Sequence, residues 1–151
     1  FWDVVEVFRD FYPEMMITTD IITGFPGETD EDHQETVDLL NQLSPDLVNV
    51  TRFSPRKGTP ASRYKRVDGR IVKKRSRELT NLRKDLGAKS FKRFVGRETS
   101  VLTIENQRKG STLCRDDNYR PIILKQELPL GEFYDVKIID SEYGFMTAVL
   151  V

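Results

Sequence analysis

The first third of the chain alternates between helical and strand patterns of apolar residues. Apolar residues at near-helical spacing predict an amphipathic helix over residues 2–11, which Pro13 ends. An apolar run over residues 15–23 predicts a strand, and the same reasoning predicts a helix over 30–43 and a strand over 47–51. The order αβαβ implies a parallel sheet with helices packed outside. Because two strands make a poor sheet, we expect further strands upstream of this segment.

The rest of the chain changes from a helical to a short-strand pattern. Apolar residues at helical spacing predict a long basic helix over residues 68–91. From Val95 onward, short apolar runs separated by glycine or proline turns are typical of a small β-barrel, with a boundary near Phe94. The predicted strands include Val101–Ile104, Ile122–Leu124, Tyr134–Ile139 and Met146–Val151, with a turn at Lys109–Gly110.

A glycine turn joins the first predicted strand to the second predicted helix. The segment reads Asp20-Ile-Ile-Thr-Gly-Phe-Pro-Gly-Glu-Thr29. Ligands of α/β proteins bind beyond the carboxyl ends of parallel strands, and Gly24 and Gly27 let a ligand approach the backbone. Glu28 is either a ligand contact or a first-turn acid favoured by the helix dipole, and turn geometry alone explains the glycines equally well. Thr29 with Asp32 predicts a capping box.

Two further loops carry chemistry-bearing side chains. Arg56 lies in a loop, residues 52–60, that places cations after the second strand, where they suit a carboxylate or phosphate. The segment 114–121 interleaves arginines with Asn118 and Tyr119, a mixture that suits RNA. The alternatives are a rigid loop with solvated cations, and a tyrosine that packs on the barrel beside a turn-capping asparagine.

Composition narrows the function classes without choosing among them. Lys plus Arg and Asp plus Glu both number 24, but cations concentrate between Tyr64 and Arg97, which makes a polyanion a candidate partner. The single cysteine, Cys114, suits a core position and a reducing cytoplasm, and it excludes a disulfide framework or a cysteine-ligated cluster. His33 is predicted to be a solvated surface residue. No apolar run is long enough for a membrane span.

The motifs together resemble one enzyme family over nearly the whole chain. The segment Thr19–Thr29 looks like the late barrel segment of radical SAM methylthiotransferases, and Phe53-Ser-Pro-Arg-Lys-Gly-Thr-Pro-Ala61 is similar to their next strand-end motif. Val95-Gly-Arg-Glu98, the segment 115–121 and Gly131–Ile138 resemble a TRAM domain. The nearest branch is the archaeal and eukaryotic one, which resembles enzymes acting on threonylcarbamoyladenosine beside the tRNA anticodon.

This resemblance implies a fold class of α/β plus all-β. Residues 1–67 would be the carboxy-terminal αβ units of a TIM-like radical SAM barrel, residues 68–93 a basic connecting helix, and residues 94–151 an OB-like TRAM β-barrel. The parent enzyme would use S-adenosylmethionine and [4Fe–4S] clusters and would act on the tRNA anticodon arm. Since CxxxCxxC is absent, this chain alone would be inactive, with no catalytic residue and no cluster ligand, and would depend on amino-terminal domains of the same polypeptide.

The resemblance also assigns roles to individual residues. The residues expected to line the S-adenosylmethionine pocket are Ile22, Gly24, Gly27, Glu28 and Arg56. Those expected to bind RNA are Arg97, Arg115, Asn118, Tyr119 and Arg120. Two other interpretations remain open: a non-catalytic TRAM-type RNA-binding module, and part of a ribosomal-protein methylthiotransferase. We expect a cytoplasmic protein with no membrane partner.

Overall fold

Helices and strands cover most of the chain. The computed structural model describes residues 1–107 and 110–151. Its helices are α1 (Trp2–Phe11), α2 (Asp30–Leu43) and α3 (Gly69–Lys92), with a short 3-10 helix at Pro60–Arg63. Its strands are β1 (Thr18–Thr23), β2 (Leu47–Arg52), β3 (Glu98–Gln107), β4 (Ser111–Arg115), β5 (Pro121–Leu124), β6 (Phe133–Glu142) and β7 (Phe145–Leu150).

Contacts divide the chain into two compact units. Thr18–Ser90 form one unit, called here the αβ unit, and Phe1–Ile17 with Phe91–Val151 form the other, called the barrel unit. Helix α1 therefore groups with the barrel, although it precedes β1 in the sequence. The domain boundaries expected at residues 67 and 93 refer to the domains of a longer parent protein, and they stay a prediction.

The sheet of the αβ unit has two parallel strands, which confirms the predicted pairing. Thr18 lies opposite Leu47 at one end of the pair and Thr23 lies opposite Arg52 at the other. Strand β1 begins at Thr18, three residues later than predicted, because β2 begins at Leu47 and leaves the preceding residues without a partner strand.

One face of this sheet carries the core of the αβ unit. Leu40 of α2, Val48 of β2 and Leu79 of α3 are fully or almost fully buried against one another. The partly buried residues around them are Ile21, Val37, Val50, Leu82 and Leu86. On the opposite face Ile22 is 59% exposed. Period-two alternation thus turns Ile21 into the core and Ile22 away from it.

Helix α2 begins at the predicted capping box. The Asp32 amide donates to the Thr29 hydroxyl (3.2 Å), and the Thr29 amide donates to the Asp32 carboxylate (2.8 Å). The prediction of a solvated His33 was wrong, because this side chain is buried and lies 3.1 Å from the carboxylate of Glu78 on α3. The contacting residue, Glu78, lies 45 residues later in the sequence, so no local pattern predicts the burial of His33.

The barrel unit contains a closed five-stranded barrel, with strand order β3-β4-β5-β7-β6. Only the β5–β7 pairing is parallel among the barrel strands described. Its buried core includes Val101, Cys114, Ile122, Val136, Ile138 and Met146, so the core position predicted for the cysteine is confirmed. The mixed α/β and all-β architecture is confirmed at this level.

One barrel strand escaped the sequence analysis. Strand β4 turns Thr112 and Cys114 inward, and these small side chains give a weak apolar pattern. The predicted turn at Lys109–Gly110 includes Lys109, which lies outside the described residues. Gly110, which is described, has φ +69°.

Candidate functional site

Gly24 directly follows β1, and its position leaves no room for a side chain. Its φ is +81°, and a Cβ atom there would lie 2.6 and 2.8 Å from the two methyl groups of Val72 on α3. Gly27 also has a positive φ, +90°, but a Cβ there would meet nothing within 4 Å. Gly24 is therefore required both for its conformation and for the packing of α3, and Gly27 for conformation alone.

Glu28 folds back onto the turn that precedes it. One carboxylate oxygen accepts the Gly24 amide at 2.6 Å, and the other lies 3.4 Å from the Thr23 hydroxyl. Arg75 of α3 reaches the same carboxylate at 2.5 Å and also donates to the Glu28 carbonyl at 3.2 Å. A second Arg75 nitrogen donates to Asp30 at 2.7 Å.

This network is largely withdrawn from solvent. The side chains of Arg75 and Glu28 are only 5% and 12% exposed, whereas that of Asp30 is 89% exposed. The Arg75 guanidinium holds the pKa of Asp30 below its ordinary value. Glu28 therefore braces the glycine turn, and its hydrogen-bonding capacity is used within the protein.

A groove of about 350 Å³ lies at the carboxyl end of β2. It brings together Ile22 and Arg56, two of the residues expected at the cofactor pocket. Phe53 forms part of its wall and packs edge-to-face on Phe25, with ring centroids 5.1 Å apart. An apolar wall with an exposed guanidinium suits a ligand that has both a flat apolar part and a negative charge.

The remaining residues of the expected pocket lie elsewhere on the turn. Gly27 and Glu28 line a separate groove of about 390 Å³ with Asp32 and Thr36 of α2. Gly24 lines neither groove and packs against α3. The five residues therefore do not share one pocket: Ile22 and Arg56 line one groove, Gly27 and Glu28 line another, and Gly24 lines neither.

In the barrel unit, the loop between β4 and β5 is organised by one aspartate. A carboxylate oxygen of Asp116 accepts the amides of Asn118 (3.0 Å) and Arg120 (2.9 Å). Its carbonyl accepts the amide of Tyr119 at 2.8 Å. These bonds hold Tyr119 in the left-handed region, with φ +64°.

Tyr119 is presented to solvent by this conformation. The residue is 68% exposed. The Arg115 guanidinium lies 4.5 Å from the Tyr119 ring centroid, and its Nη1 donates to the Tyr119 carbonyl at 2.8 Å. The ring is therefore fixed on a loop with a cation beside it, which is a suitable arrangement for stacking on a nucleobase.

Arg120 points in the opposite direction, into the barrel unit. Its side chain is 4% exposed, and its guanidinium lies 3.8 Å from the ring centroid of the buried Phe94. It donates to the Glu14 carbonyl at 2.9 Å and lies 3.5 Å from Asp116. Arg120 supports the loop from inside.

Glu14 links two further residues that were expected to bind RNA. Arg97 donates to its carboxylate at 2.6 Å, and this hydrogen bond is the main reason that the pKa of Glu14 falls below its ordinary value. Asn118, with its amide oriented to satisfy both partners, donates to the Glu14 carbonyl (3.1 Å) and accepts from Arg120 (2.7 Å). Arg97 is about half exposed, so part of its guanidinium remains accessible.

The predicted RNA-binding residues therefore form two groups. Arg97, Asn118 and Arg120 line a polar recess of about 210 Å³ that also contains Glu14 and Asp116. The exposed Tyr119 and the half-buried Arg115 form a separate pair. Sequence reasoning missed the two acids, although an aspartate two residues before an asparagine is a familiar turn signal. It also missed Arg75, whose partner is 47 residues away.

Cys114 does not fit an iron–sulfur site. It is buried in the barrel core, and burial raises the pKa of its thiol to about 11. A cubane cluster needs several thiolates, and the sequence contains no other cysteine. Within residues 1–107 and 110–151, none of the helices combines the length and apolar character needed to cross a bilayer.

Comparisons with known proteins match the chain almost from end to end. It is 42% identical over 98% of its length to an Archaeoglobus fulgidus protein named "Probable threonylcarbamoyladenosine tRNA methylthiotransferase". Threonylcarbamoyladenosine tRNA methylthiotransferases of Thermotoga maritima and Homo sapiens are 38% and 31% identical over 97% and 95% of the chain. No family model matches.

These relatives are much longer than the chain. It spans 34% of the Archaeoglobus and Thermotoga proteins and 25% of the human one. The resemblance predicted from the sequence motifs is confirmed. This chain is homologous to a segment that makes up between about a quarter and a third of the length of these threonylcarbamoyladenosine tRNA methylthiotransferases.

Proposed function

We propose that this chain is the carboxy-terminal part of a radical SAM methylthiotransferase that modifies threonylcarbamoyladenosine beside a tRNA anticodon. The observation that carries the proposal is the end-to-end match to relatives named for this reaction. In this assignment residues 1–67 complete a radical SAM barrel and residues 94–151 form an OB-like TRAM domain. Residues 68–93 are the basic helix that connects the two domains. The parent would be a cytoplasmic transferase.

The groove at the end of β2 fits part of S-adenosylmethionine. Ile22 and Phe53 offer apolar surface to the adenine, and the exposed Arg56 offers a charge partner to a carboxylate. When bound beside a reduced cluster, S-adenosylmethionine supplies the radical chemistry of such enzymes. The residues of this chain would hold and orient the cofactor, while Glu28 and Arg75 would fix the turn beside the groove.

The iron–sulfur clusters do not fit this chain. Its one thiol is buried and protonated, so the cluster ligands belong to the rest of the parent protein. No step of the reaction can be derived from these residues alone. Their contribution is confined to binding cofactor and RNA.

Tyr119 and Arg115 are the best RNA contacts among the predicted residues. The ring is exposed and fixed, and stacking on a base is worth about 1–3 kcal/mol. Arg97 can add a phosphate contact, because half of its side chain is accessible. Arg120 and Asn118 would act through the loop conformation, since their polar groups bond within the protein.

The cofactor assignment is tested by methyl NMR of the chain during titration with S-adenosylmethionine. We expect the Ile22 methyl signals to shift and those of Ile138, in the barrel core, to stay. Arg56→Gln should weaken the response, and Arg63→Gln, an exposed cation that does not line the groove, should not. An unshifted Ile22 would remove the groove from the cofactor site.

The RNA assignment is tested by the affinity of the chain for a tRNA transcript. Tyr119→Ala should weaken binding about fivefold to 150-fold, the equivalent of one stacked base. The control is Tyr64→Ala, another exposed tyrosine, in the αβ unit. Tight tRNA binding without any Ile22 response would favour a non-catalytic RNA-binding module. Absence of tRNA binding would favour a protein target such as a ribosomal protein.

A further inference from the structure

One face of α3 carries a row of cations that neither the cofactor groove nor the barrel loop uses. The row consists of Arg70, Lys73, Lys74, Arg77 and Lys84, called here the α3 cationic face. All five are exposed. We infer that the α3 cationic face binds the phosphate backbone of RNA, as a second contact surface separate from the barrel loop. This inference rests on the proposed function.

Packing fixes the direction in which this face points. Successive residues of an α-helix are rotated by about 100°, so the five cations fall within an arc of about 100° centred near Arg70. Leu79, which is fully buried in the core of the αβ unit, lies about 180° from Arg70 on the same helical projection. Because α3 is held by its opposite side, the cations cannot turn inward.

Little negative charge on the helix opposes these cations. The acids of α3 are Glu78 and Asp85. Glu78 contacts His33, and Asp85 projects about 60° from Arg70, at the margin of the face. Arg70 is paired with Asp68 outside the helix, at 3.3 Å, but its side chain remains 94% exposed. The field of the face is therefore positive.

Two other arginines of α3 form hydrogen bonds within the αβ unit. Arg75 is buried and bonded to Glu28 and Asp30. Arg83 turns toward β2 and donates to the Val48 carbonyl at 3.3 Å. The α3 cationic face differs from both because its members extend into solvent. Pairing within the protein thus accounts for Arg75 and Arg83, whereas the five members of the α3 cationic face keep exposed side chains. Lys89 and Lys92, near the end of α3, are exposed as well.

Charge within the αβ unit is also separated between its two helices. Asp30 of α2 is paired with Arg75 and lies near Lys74, but the other exposed acids of α2, Glu31, Asp32, Glu35 and Asp38, have no ion pair with α3 among the contacts described. A polyanion would be repelled by α2 and attracted by α3, so the unit presents one favourable side. From Arg70 to Lys84 the row extends about 21 Å along the helix axis, long enough to follow several phosphates of an RNA strand.

The side chains present favour RNA backbone over a lipid surface. A helix that lies on a membrane needs apolar residues flanking its cations, to enter the acyl boundary. On α3 the apolar residues Leu79, Leu82 and Leu86 are committed to the protein core, which leaves Ile71, 42% exposed, as a single large apolar side chain beside the face. The face carries no aromatic side chain for base stacking, so its binding should be independent of sequence and strongly dependent on salt.

The test measures the affinity of the full 151-residue chain for a labelled tRNA transcript at several salt concentrations. The stripe variant combines Arg70→Gln, Lys73→Gln, Lys74→Gln and Arg77→Gln, all at exposed positions. Removing four phosphate contacts should reduce the magnitude of the slope of log K against log salt by about 3, and weaken binding at least about tenfold near 0.15 M salt. Arg70→Lys with Arg77→Lys should bind like the unaltered chain.

A charge-matched control separates a local contact from net charge. The control carries Lys57→Gln, Arg63→Gln, Lys65→Gln and Arg66→Gln, four exposed cations of the αβ unit that lie outside α3. Equal weakening in both quadruple variants would overturn the inference, as would stronger binding to anionic vesicles than to tRNA. Both quadruple variants should have the helical content and the free energy of unfolding of the unaltered chain, since none of the eight substituted side chains is buried.

Tyr119→Ala distinguishes this inference from the proposed function. If Tyr119→Ala weakens tRNA binding and the stripe variant does not, the α3 cationic face is not an RNA surface and the proposed function stands. If the stripe variant alone weakens binding, the inference holds and the barrel-loop contact fails. Absence of any tRNA binding by the unaltered chain at low salt would overturn both.

Discussion

The glycine turn of the αβ unit and the β4–β5 loop of the barrel unit are both held by a buried arginine, but by different interactions. Arg75 reaches Glu28 and Asp30 at 2.5 and 2.7 Å. Arg120 approaches its acids only to 3.5 and 3.7 Å, and is held closely by the Phe94 ring and a carbonyl oxygen. An ion pair at close range therefore dominates the first support, whereas ring contact and hydrogen bonds to neutral acceptors dominate the second.

The two supports therefore differ in how well the remaining carboxylate is still hydrogen-bonded after its arginine is substituted. Without Arg75, Glu28 would remain an almost buried carboxylate whose strongest partner is gone. Without Arg120, Asp116 would still accept the amides of Asn118 and residue 120. Both carboxylates are nearly buried, but Glu28 would lose an ion pair at 2.5 Å and keep one backbone donor, whereas Asp116 would lose a contact at 3.5 Å and keep two. The glycine turn should therefore be the more fragile of the two.

The largest predicted effect is that of Arg75→Met. We expect it to lower the free energy of unfolding of the αβ unit by about 3 to 5 kcal/mol, because it leaves the nearly buried Glu28 carboxylate without its charged partner. Arg120→Met should lower the free energy of unfolding of the barrel unit by less, about 2–3 kcal/mol, because it removes two hydrogen bonds to neutral acceptors and one cation–π contact. Hydrogen exchange of the β1 and β2 amides, and of the β3 and β6 amides, measures each unit separately.

Arg77→Met is the control for Arg75→Met, because it removes an exposed arginine from the same helix. We expect this substitution to change the free energy of unfolding measured by hydrogen exchange by less than about 0.5 kcal/mol. Equal losses for Arg75→Met and Arg120→Met would contradict the proposed difference between the two supports. A loss confined to the wrong unit would contradict the contact assignment itself.

The second prediction compares two glycines of the turn that Arg75 supports. Gly24→Ala should cost about 3 kcal/mol or more, since it adds a clash with Val72 to a left-handed backbone. Gly27→Ala should cost only about 1–2 kcal/mol, because its backbone strain comes without a clash. The same exchange measurement applies.

Adding Val72→Ala to the Gly24→Ala variant separates the two terms. The second substitution removes the clashing methyl groups, so part of the loss should be recovered relative to Val72→Ala alone. If both glycine variants lose the same free energy, packing of α3 on Gly24 contributes nothing and the turn is restrained by its backbone only.

The elements of the fold were largely predictable from sequence, because their signals are local. Periodicity gave both bounds of α1 and α2, and the capping box lies within four residues of chain. Strand β4 was missed because its inward residues, Thr112 and Cys114, are small. The start of β1 depends on the length of β2, which is a property of the pair and not of either strand.

The candidate site was less predictable because its geometry depends on distant partners. Ile22 and Arg56 were selected by motif and do share a groove. Glu28 was selected by the same motif, but its carboxylate is occupied by an arginine 47 residues away. Arg120 and Tyr119 are neighbours with similar sequence signals, but the Arg120 side chain is buried against Phe94 whereas the Tyr119 side chain is exposed. Sequence composition cannot separate such neighbours.

The smallest predicted effect concerns the exposed ion pair beside the Arg120 support. The Arg97 hydrogen bond lowers the pKa of Glu14 below its ordinary value of 4.5, so folding favours the ionised carboxylate. Its stabilising contribution is therefore complete above pH 4.5 and is lost as pH falls through the lowered pKa of the folded state. Both side chains are 53% exposed, which limits the contribution to about 1 kcal/mol or less.

Urea unfolding followed by Trp2, the single tryptophan, reports on the barrel unit between pH 7 and pH 3. Glu14→Gln should be slightly less stable than the unaltered chain at pH 7, and this difference should shrink as the pH falls from 4.5 through the lowered pKa of Glu14 in the folded state. A difference that persists at low pH would mean that Glu14 acts through its shape or its neutral hydrogen bonds. In that case the barrel-unit support would contain no significant charge interaction at its exposed edge, and its contrast with the charge-held glycine turn would be sharper.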